Sequence, residues 1–420
     1  MKSDNIFCVV GLGKSGHAAA LLLKNKGFSV KVTESLESKE LRKRANLLLK
    51  KGIEVELGGH RDSFYEDASL YIVSPSVDNN NPVIKYAQSY CVPIISEIEL
   101  AWMYSPAQVI AITGTNGKTS VSTYLYKVLK RMGRSAVLAG NIGTPFSSLV
   151  LDLKKDDLVI LELSSFQLEH TVSFHPCIAV LLNISEDHLD RHKSIDVYLE
   201  AKLKIFSNQN VDDIALVDLS QDIVKKKSST ILARLIDLSV FNKLDMSQNK
   251  KVVYLIGKAL GLEDKRLISE IKRLKRPSHR REDIGSVFGV NFINDSKATN
   301  PHATKWALDN IDSNVVLIAG GRDKKIDFRI AKDEISRKVK VLILIGEAKE
   351  KIASAVGGFV EVVKFADDLR EAVDIALKEA SSGDTVLLSP MCSSFDMFKS
   401  YEERGNLFKK IVRDIQRCKN

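Results

Sequence analysis

Residues 114–120 read Gly-Thr-Asn-Gly-Lys-Thr-Ser and follow the apolar run 108–112. A strand that runs into a glycine loop and then into a helix builds a cradle for polyphosphate. Gly114 and Gly117 let backbone N–H groups reach phosphate oxygens. The Lys118 ammonium meets the outer phosphates, and the Thr119 hydroxyl can ligate Mg²⁺. A helix predicted over 120–132 points its positive end at the anion. The chemistry implied is that of a nucleoside triphosphate. The commoner form of this loop carries a glycine where this chain has Ile112.

A second glycine pattern, Gly11-Leu-Gly-Lys-Ser-Gly16, follows strand 6–10 and precedes a helix predicted over 17–26. Glu34 closes the next strand, where a ribose-binding acid would sit. Two ligands meet this pattern: a nicotinamide dinucleotide, or a nucleoside diphosphate sugar whose diphosphate lies against the helix N-terminus. Leu161-Glu-Leu-Ser-Ser-Phe-Gln-Leu168 sets Glu162 at the end of a buried strand, placed to share Mg²⁺ with Thr119 because hard cations take oxygen ligands. In Asn183-Ile-Ser-Glu-Asp-His-Leu-Asp-Arg191, His188 is either a second metal ligand or a solvated loop histidine. Three polar loops follow strands in the last third: Asn294-Asp-Ser-Lys-Ala-Thr-Asn300, Gly320-Gly-Arg-Asp-Lys-Lys325 and Leu388-Ser-Pro-Met-Cys-Ser-Ser-Phe-Asp396. At the carboxyl edge of one sheet they would converge on one crevice.

The elements that position these residues alternate between strand and helix. Strands are predicted at 6–10, 29–33, 54–57, 70–73 and 93–95, then at 108–112, 136–139, 158–161 and 178–182, with a helix over 197–206. Residues 208–248 read only as short strands and loops. Helices at about 250–260 and 264–274 precede Pro277, which marks a linker. Strands at 290–293, 315–319, 341–345 and 385–388 follow, with helices at 303–310, at 369–379 and from about 403. The fold class expected is α/β with three domains: Rossmann-like over 1–97, P-loop ATPase-like over 98–277, and Rossmann-like again over 278–420.

Composition sets the bounds. Charged residues are 27% and hydrophobic ones 44% of the 420 residues, as in a soluble globular protein. No apolar run reaches the roughly 18 residues of a membrane span, and the first residues lack a secretory pattern. Five scattered cysteines read as reduced thiols of a cytoplasmic protein. The net charge of +9 would permit nucleic-acid binding, but its densest run, 272–281, carries no interleaved aromatics and no such motif.

Together these segments resemble the Mur ligases, ATP-dependent enzymes of bacterial cell-wall synthesis. Gly114–Ser120, Gly140-Asn-Ile-Gly143, 161–168, Glu186-Asp-His-Leu-Asp-Arg191, 294–300 and 389–398 stand in family order over almost the whole chain. The runs at 161–168 and 294–300 resemble most the member that adds D-glutamate to UDP-N-acetylmuramoyl-L-alanine, and the Asp-Asn-Pro-Arg motif of the diaminopimelate- or lysine-adding member is absent. The resemblance implies ATP contacts at Gly114, Thr115, Asn116, Gly117, Lys118, Thr119, Ser120, Asn249, Arg280 and Asp295. It implies two Mg²⁺ ions on Thr119, Glu162, His188 and a carbamylated Lys202, with Lys118, His188 and Lys202 catalytic. It implies UDP-sugar contacts at Lys14, Ser15, Glu34, Ser35, Asn141, Ser164 and Gln167. D-Glutamate would meet Lys297, Thr299, Lys324, Ser394, Phe395 and Tyr401.

The chain departs from the family in three places, one of them a central domain that is short around residues 210–250. The adenine-binding stretch is reduced to Leu244-Asp-Met-Ser-Gln-Asn249, where Asn249 survives, and Leu36 stands where the family has an arginine on uracil. The resemblance further implies a cytoplasmic monomer with small-molecule partners and no nucleic acid. Three other readings compete. They are a folylpolyglutamate synthase-like ligase, a nicotinamide oxidoreductase built on 11–16, and a non-enzymatic binding protein on the ligase fold.

Overall fold

The structure, a computed structural model, describes residues 5–240, 246–275 and 277–417; the side chains of Leu189 and Asp190 lie outside it. The chain divides into two packed units. The first comprises residues up to Ile184 and Asp196–Leu274; the second comprises Ser185–Ile195 and the residues from Lys275 onward.

The first unit holds two sheets. Strands β1 (Ile6–Val10), β2 (Ser29–Glu34), β3 (Glu54–Leu57), β4 (Leu70–Val73) and β5 (Ile94–Ser96) are all parallel, in the order β3-β2-β1-β4-β5. The strand order reverses between β1 and β4, so the loops leaving them bound a crevice. The Gly11–Gly16 turn stands there. A Cβ on Gly16 would lie 1.9 Å from the Gly11 carbonyl oxygen, so only glycine lets helix Lys14–Asn25 start this close to the turn.

The second sheet contains β6 (Gln108–Thr113), β7 (Ala136–Gly140), β8 (Leu158–Glu162), β9 (Ile178–Leu181), β10 (Ile214–Val217) and β11 (Arg234–Asp237), in the order β11-β10-β9-β6-β8-β7, again all parallel. Its inner strands are near-continuous apolar runs, as a sheet covered on both faces requires, with polar residues only at strand ends: Gln108, Thr113 and Glu162. Helix Lys118–Arg131 buries Val121, Leu125 and Val128 against one face, beside helices Gln248–Ala259 and Asp264–Lys272.

Two buried glutamates fasten the two sheets' layers together. Both come from helix Glu97–Tyr104, which is absent from the sequence reading. Glu97 accepts from the Ser147 N–H (2.6 Å), and Glu99 accepts from the N–H groups of Val172, Ser173 and Phe174 (2.8–3.0 Å).

The second unit is built on β12 (Glu282–Val287), β13 (Val290–Asn294), β14 (Val315–Gly320), β15 (Val339–Ile345), β16 (Val362–Phe365) and β17 (Thr385–Leu388), in the order β12-β13-β17-β14-β15-β16. Only β12 runs antiparallel to its neighbour. The chain crosses from β13 to β14 and later inserts β17 between them, which brings three strand ends side by side.

The sequence reading placed most of the inner strands. It missed the edge strands β12 and β16 and the helices Lys39–Leu49 and Pro82–Ser89, and left 208–248 open. That stretch holds β10, helix Asp222–Lys227 and the edge strand β11. Four cysteines, Cys8, Cys91, Cys177 and Cys392, are free thiols; Cys418 lies outside the described residues. Among those residues no helix is long and apolar enough to cross a membrane.

Candidate active site

In the first unit the glycine loop leaves β6 and turns into helix Lys118–Arg131. Gly117 precedes that helix at φ +90°, and a Cβ there would lie 2.9 Å from Asn249 Oδ1. The loop is clamped from the end of β9. The Asn183 carbonyl oxygen accepts from Thr115 N (3.0 Å), its Oδ1 accepts from Asn116 N (2.8 Å), and its Nδ2 donates to Asn116 O (3.1 Å). Lys118 Nζ curls back onto Gly114 O (2.7 Å) and Thr115 O (3.0 Å). Lys202 is 1% exposed, and its Nζ reaches the same Gly114 oxygen at 3.1 Å while lying 4.4 Å from the centre of the Tyr198 ring. Two ammonium groups thus converge on one carbonyl.

Glu162 stands opposite Ile112 on the neighbouring strand, beside the start of the loop. It is 1% exposed, and its carboxylate accepts from Asn141 Nδ2 (2.9 Å) and Ser122 Oγ (3.4 Å), both neutral donors. Among the described residues no ion pair reaches it. A buried carboxylate held by neutral donors is suited to a divalent cation. Thr119 and the buried Ser120 lie in the helix's first turn. Ser164 and Gln167 close a reciprocal cap on the short helix that follows Glu162.

At the edge of the first sheet, Glu34 accepts from Leu12 N (2.8 Å) and Leu36 N (3.0 Å), tying the glycine turn to the end of β2. Ser35 Oγ reaches Glu34 Oε1 at 3.4 Å. Lys14 and Ser15 open helix Lys14–Asn25. Leu36 is exposed.

In the second unit the three predicted loops do meet, because β13, β17 and β14 are adjacent and parallel. Asp295 accepts from Arg281 N (3.0 Å) and Ser389 Oγ (3.2 Å), and burial pushes its carboxyl up to about 7. Lys297 Nζ donates to Tyr401 Oη (2.9 Å). Lys324 Nζ donates to Asp187 Oδ1 (3.2 Å), whose other oxygen accepts from Asn300 Nδ2 (3.1 Å). Burial alone would raise the Asp187 carboxyl; Lys324 and its hydrogen bonds hold it below the usual carboxylate range instead. His188 follows at φ +56°, and its N–H is bonded to Asp187 Oδ1. Arg404, 1% exposed, joins all three loops: it donates to Ser296 O (2.8 Å), Cys392 O (3.2 Å) and Gly320 O (3.4 Å). Ser394 is buried, Phe395 is 62% exposed, and Thr299 is half-buried. Arg280 lies beside Asp295's partner Arg281, and its charge acts on Asp295.

The expected residues therefore form separate groups. Gly114–Ser120, Asn141, Glu162, Lys202 and Asn249 surround the glycine loop, with Ser164 and Gln167 just beyond Glu162, and Lys14, Ser15, Glu34 and Ser35 lie at the first sheet's edge. His188, Arg280, Asp295, Lys297, Thr299, Lys324, Ser394, Phe395 and Tyr401 belong to the second unit. Leu244 and Asp245 of the reduced adenine stretch lie outside the described residues. Among those residues no three His, Cys, Asp or Glu side chains gather as a metal site.

The chain matches three domain profiles in succession: the MurD-like N-terminal domain of Mur ligases over residues 5–96, the Mur ligase middle domain over 112–259, and the Mur ligase glutamate ligase domain over 279–392. It is 38% identical to a UDP-N-acetylmuramoylalanine–D-glutamate ligase of Koribacter versatilis, over 97% of both chains. The chain belongs to the Mur ligase family. A protein of the same name from Pelotomaculum thermopropionicum is 35% identical, again over 97% of each chain. Among solved Mur ligase structures, MurF of Thermotoga maritima in complex with ADP superposes with a TM-score of 0.61 at 17% identity, covering 92% of this chain and 95% of that one. UDP-N-acetylmuramate–alanine ligase MurC of the same organism gives 0.58 at 17% identity, covering 98% and 99%. These structures share the fold.

Sequence reasoning missed Asn183, Ser122, Asp187, Asn300 and Arg404 as site residues. Asn183 had a signal, since it ends an apolar strand just ahead of a carboxylate-rich run. Arg404 had none: it reads as one more charge on an amphipathic helix.

Proposed function

We propose that this Mur ligase adds D-glutamate to UDP-N-acetylmuramoyl-L-alanine at the expense of ATP, through an acyl phosphate, in peptidoglycan precursor synthesis. The observation that carries the ligase chemistry is the convergence of Lys118 and Lys202 on the Gly114 carbonyl with Glu162 on the neighbouring strand. The choice of substrates rests on the end-to-end likeness to the relatives above.

A carboxylate is a poor electrophile. Transfer of the ATP γ-phosphoryl group to it gives an acyl phosphate and ADP. The deprotonated amine of D-glutamate then attacks the carbonyl carbon, and phosphate leaves. Phosphoryl transfer demands chiefly positioning and charge stabilisation. The loop N–H groups, with Lys118, would hold the β- and γ-phosphates, and Asn249 would contact the rest of the nucleotide. Mg²⁺ bound at Thr119 and Glu162 would screen the charge that the two anionic reactants bring together. Lys202 is the candidate for carbamylation, since an ammonium cannot ligate a cation whereas a carbamate would offer two anionic oxygens to one, and His188 is the candidate ligand of a second ion.

The N-terminal part, proposed as domain 1–97, would hold UDP at Lys14, Ser15, Glu34 and Ser35. Domain 98–277 would carry ATP, with Asn141, Ser164 and Gln167 on the sugar. Domain 278–420 would take D-glutamate through Lys297, Thr299, Lys324, Ser394, Phe395 and Tyr401. The enzyme would act in the cytoplasm as a monomer, with no nucleic-acid partner. FolC of E. coli shares the fold (TM-score 0.56, 17% identity) but aligns with only 76% of this chain. A folylpolyglutamate synthase would lack a diphosphate-binding N-terminal domain, and residues 5–96 match a MurD-like one.

The test is phosphate release from ATP with UDP-N-acetylmuramoyl-L-alanine and a panel of amino acids. D-Glutamate should support turnover far better than L-glutamate, D-alanine or a diamino acid. A preference for any of these would overturn the substrate assignment.

A further inference from the structure

A cavity of about 490 Å³ opens within the first unit, away from the glycine loop. Its walls are one face of helix Lys14–Asn25, one face of helix Lys39–Leu49, and residues 145–151. That volume lies in the range of small-molecule sites, about 300–1,000 Å³. Its lining is chemically polarised. Lys14, His17 and Arg44 contribute to it, and no Asp or Glu does. Leu21 continues the wall, and Leu47 and Leu151, half exposed, face it from different segments.

Two details favour an anionic head group. His17 Nε2 is buried and has no hydrogen-bond partner among the described residues. An orphaned polar atom of this kind is costly unless a ligand satisfies it. Burial, and then the Arg44 charge, hold the His17 imidazole below its ordinary pKa. Arg44 is held in place by Leu12 O (3.1 Å) and by its ion pair with Glu40 (2.5 Å). The exposed leucines would leave water if an apolar chain lay on them.

We propose that this cavity binds a small single-chain anionic amphiphile, its head group at Lys14, His17 and Arg44 and its chain along Leu21, Leu47 and Leu151. Arg44 also holds the Leu12 carbonyl inside the 11–16 turn, so the occupant touches the turn from behind.

The probe is decyl phosphate below its micellar concentration, titrated by calorimetry into the full chain, with inorganic phosphate and decanol as separate arms. Decyl phosphate should bind once per chain, and each control should bind at least roughly tenfold more weakly, because each lacks half of the recognition. Leu47→Glu and His17→Phe each should weaken decyl phosphate by about tenfold or more. Both variants should keep the wild-type melting temperature within a few degrees and the wild-type basal rate. Lys14 is left intact because it is also a proposed diphosphate contact. Absence of binding would overturn the proposal. So would equal binding of inorganic phosphate or decanol, or undiminished binding by both variants.

Discussion

Lys118 and Lys202 end on the same carbonyl oxygen, yet the account gives them different work. Lys118 opens the helix and follows the loop, so it can meet the phosphates; Lys202 comes from a separate helix and is buried. Lys118→Ala should keep the fold and lower kcat by at least ~10²-fold, as expected when a main electrostatic stabiliser is removed. An unchanged rate would take the loop out of the mechanism. Lys202→Ala should be nearly inactive and partly rescued by short carboxylic acids. Full activity in bicarbonate-free buffer, together with full activity of Lys202→Arg, would exclude a carbamate.

Asp295 supplies a test that needs no substrate. Its carboxyl is pushed up to about 7 in the fold, from an ordinary value near 3.8, chiefly by burial. Between those values the folded chain keeps a proton that the unfolded chain has lost. Stability therefore falls as pH rises from about 4 to about 7 and is level above. Asp295→Asn has no such proton, so its melting temperature relative to wild type should improve from pH 5 to pH 8. A pH-independent difference would remove Asp295 as the titrating group. At this scale the sequence was legible where residue type alone suggests a task, as with Lys118 and Glu162. It was silent where burial creates the task, as with Arg404 and Asp187.

Among the elements, the strand–loop–helix around 108–131 is the most exposed to a single change. Gly117→Ala would force a Cβ into left-handed backbone, which costs roughly 1–2 kcal/mol, and would push on the Asn249 amide 2.9 Å away. The variant should melt several degrees lower and show a raised KM for ATP. A neutral outcome would mean that helix Gln248–Ala259 can retreat from the loop. Inner strands such as β6 and β8 were legible because both their faces are buried and they read as continuous apolar runs. The edge strands β11 and β12 were not, since Arg-Leu-Ile-Asp or Glu-Asp-Ile-Gly-Ser-Val carries too few apolar residues to stand apart from a loop. Helix Lys39–Leu49 was missed for a similar reason: it buries only Ala45 and Leu48 fully.

For the molecule as a whole, three sheets each place their loops at the carboxyl ends of parallel strands, and each set of loops carries one group of the expected contacts. The strand order explains why distant segments of sequence share a crevice, most plainly where β17 slots between β13 and β14. In that crevice Lys324 is paired with Asp187, and the D-glutamate side-chain carboxylate is the partner proposed for it in turnover. Lys324→Ala should raise the KM for D-glutamate by about 10- to 100-fold, the worth of a charge-assisted hydrogen bond, and that for ATP far less. The reverse ranking would reassign the pocket.

The most direct test of the central claim follows the oxygen. UDP-N-acetylmuramoyl-L-alanine labelled with ¹⁸O in its carboxylate is turned over with ATP and D-glutamate, and the released phosphate is analysed by mass. An acyl phosphate intermediate moves one labelled oxygen from the carboxylate to phosphate for each amide formed, with ADP as the other product. Phosphate without label, or label recovered in AMP, would contradict the account.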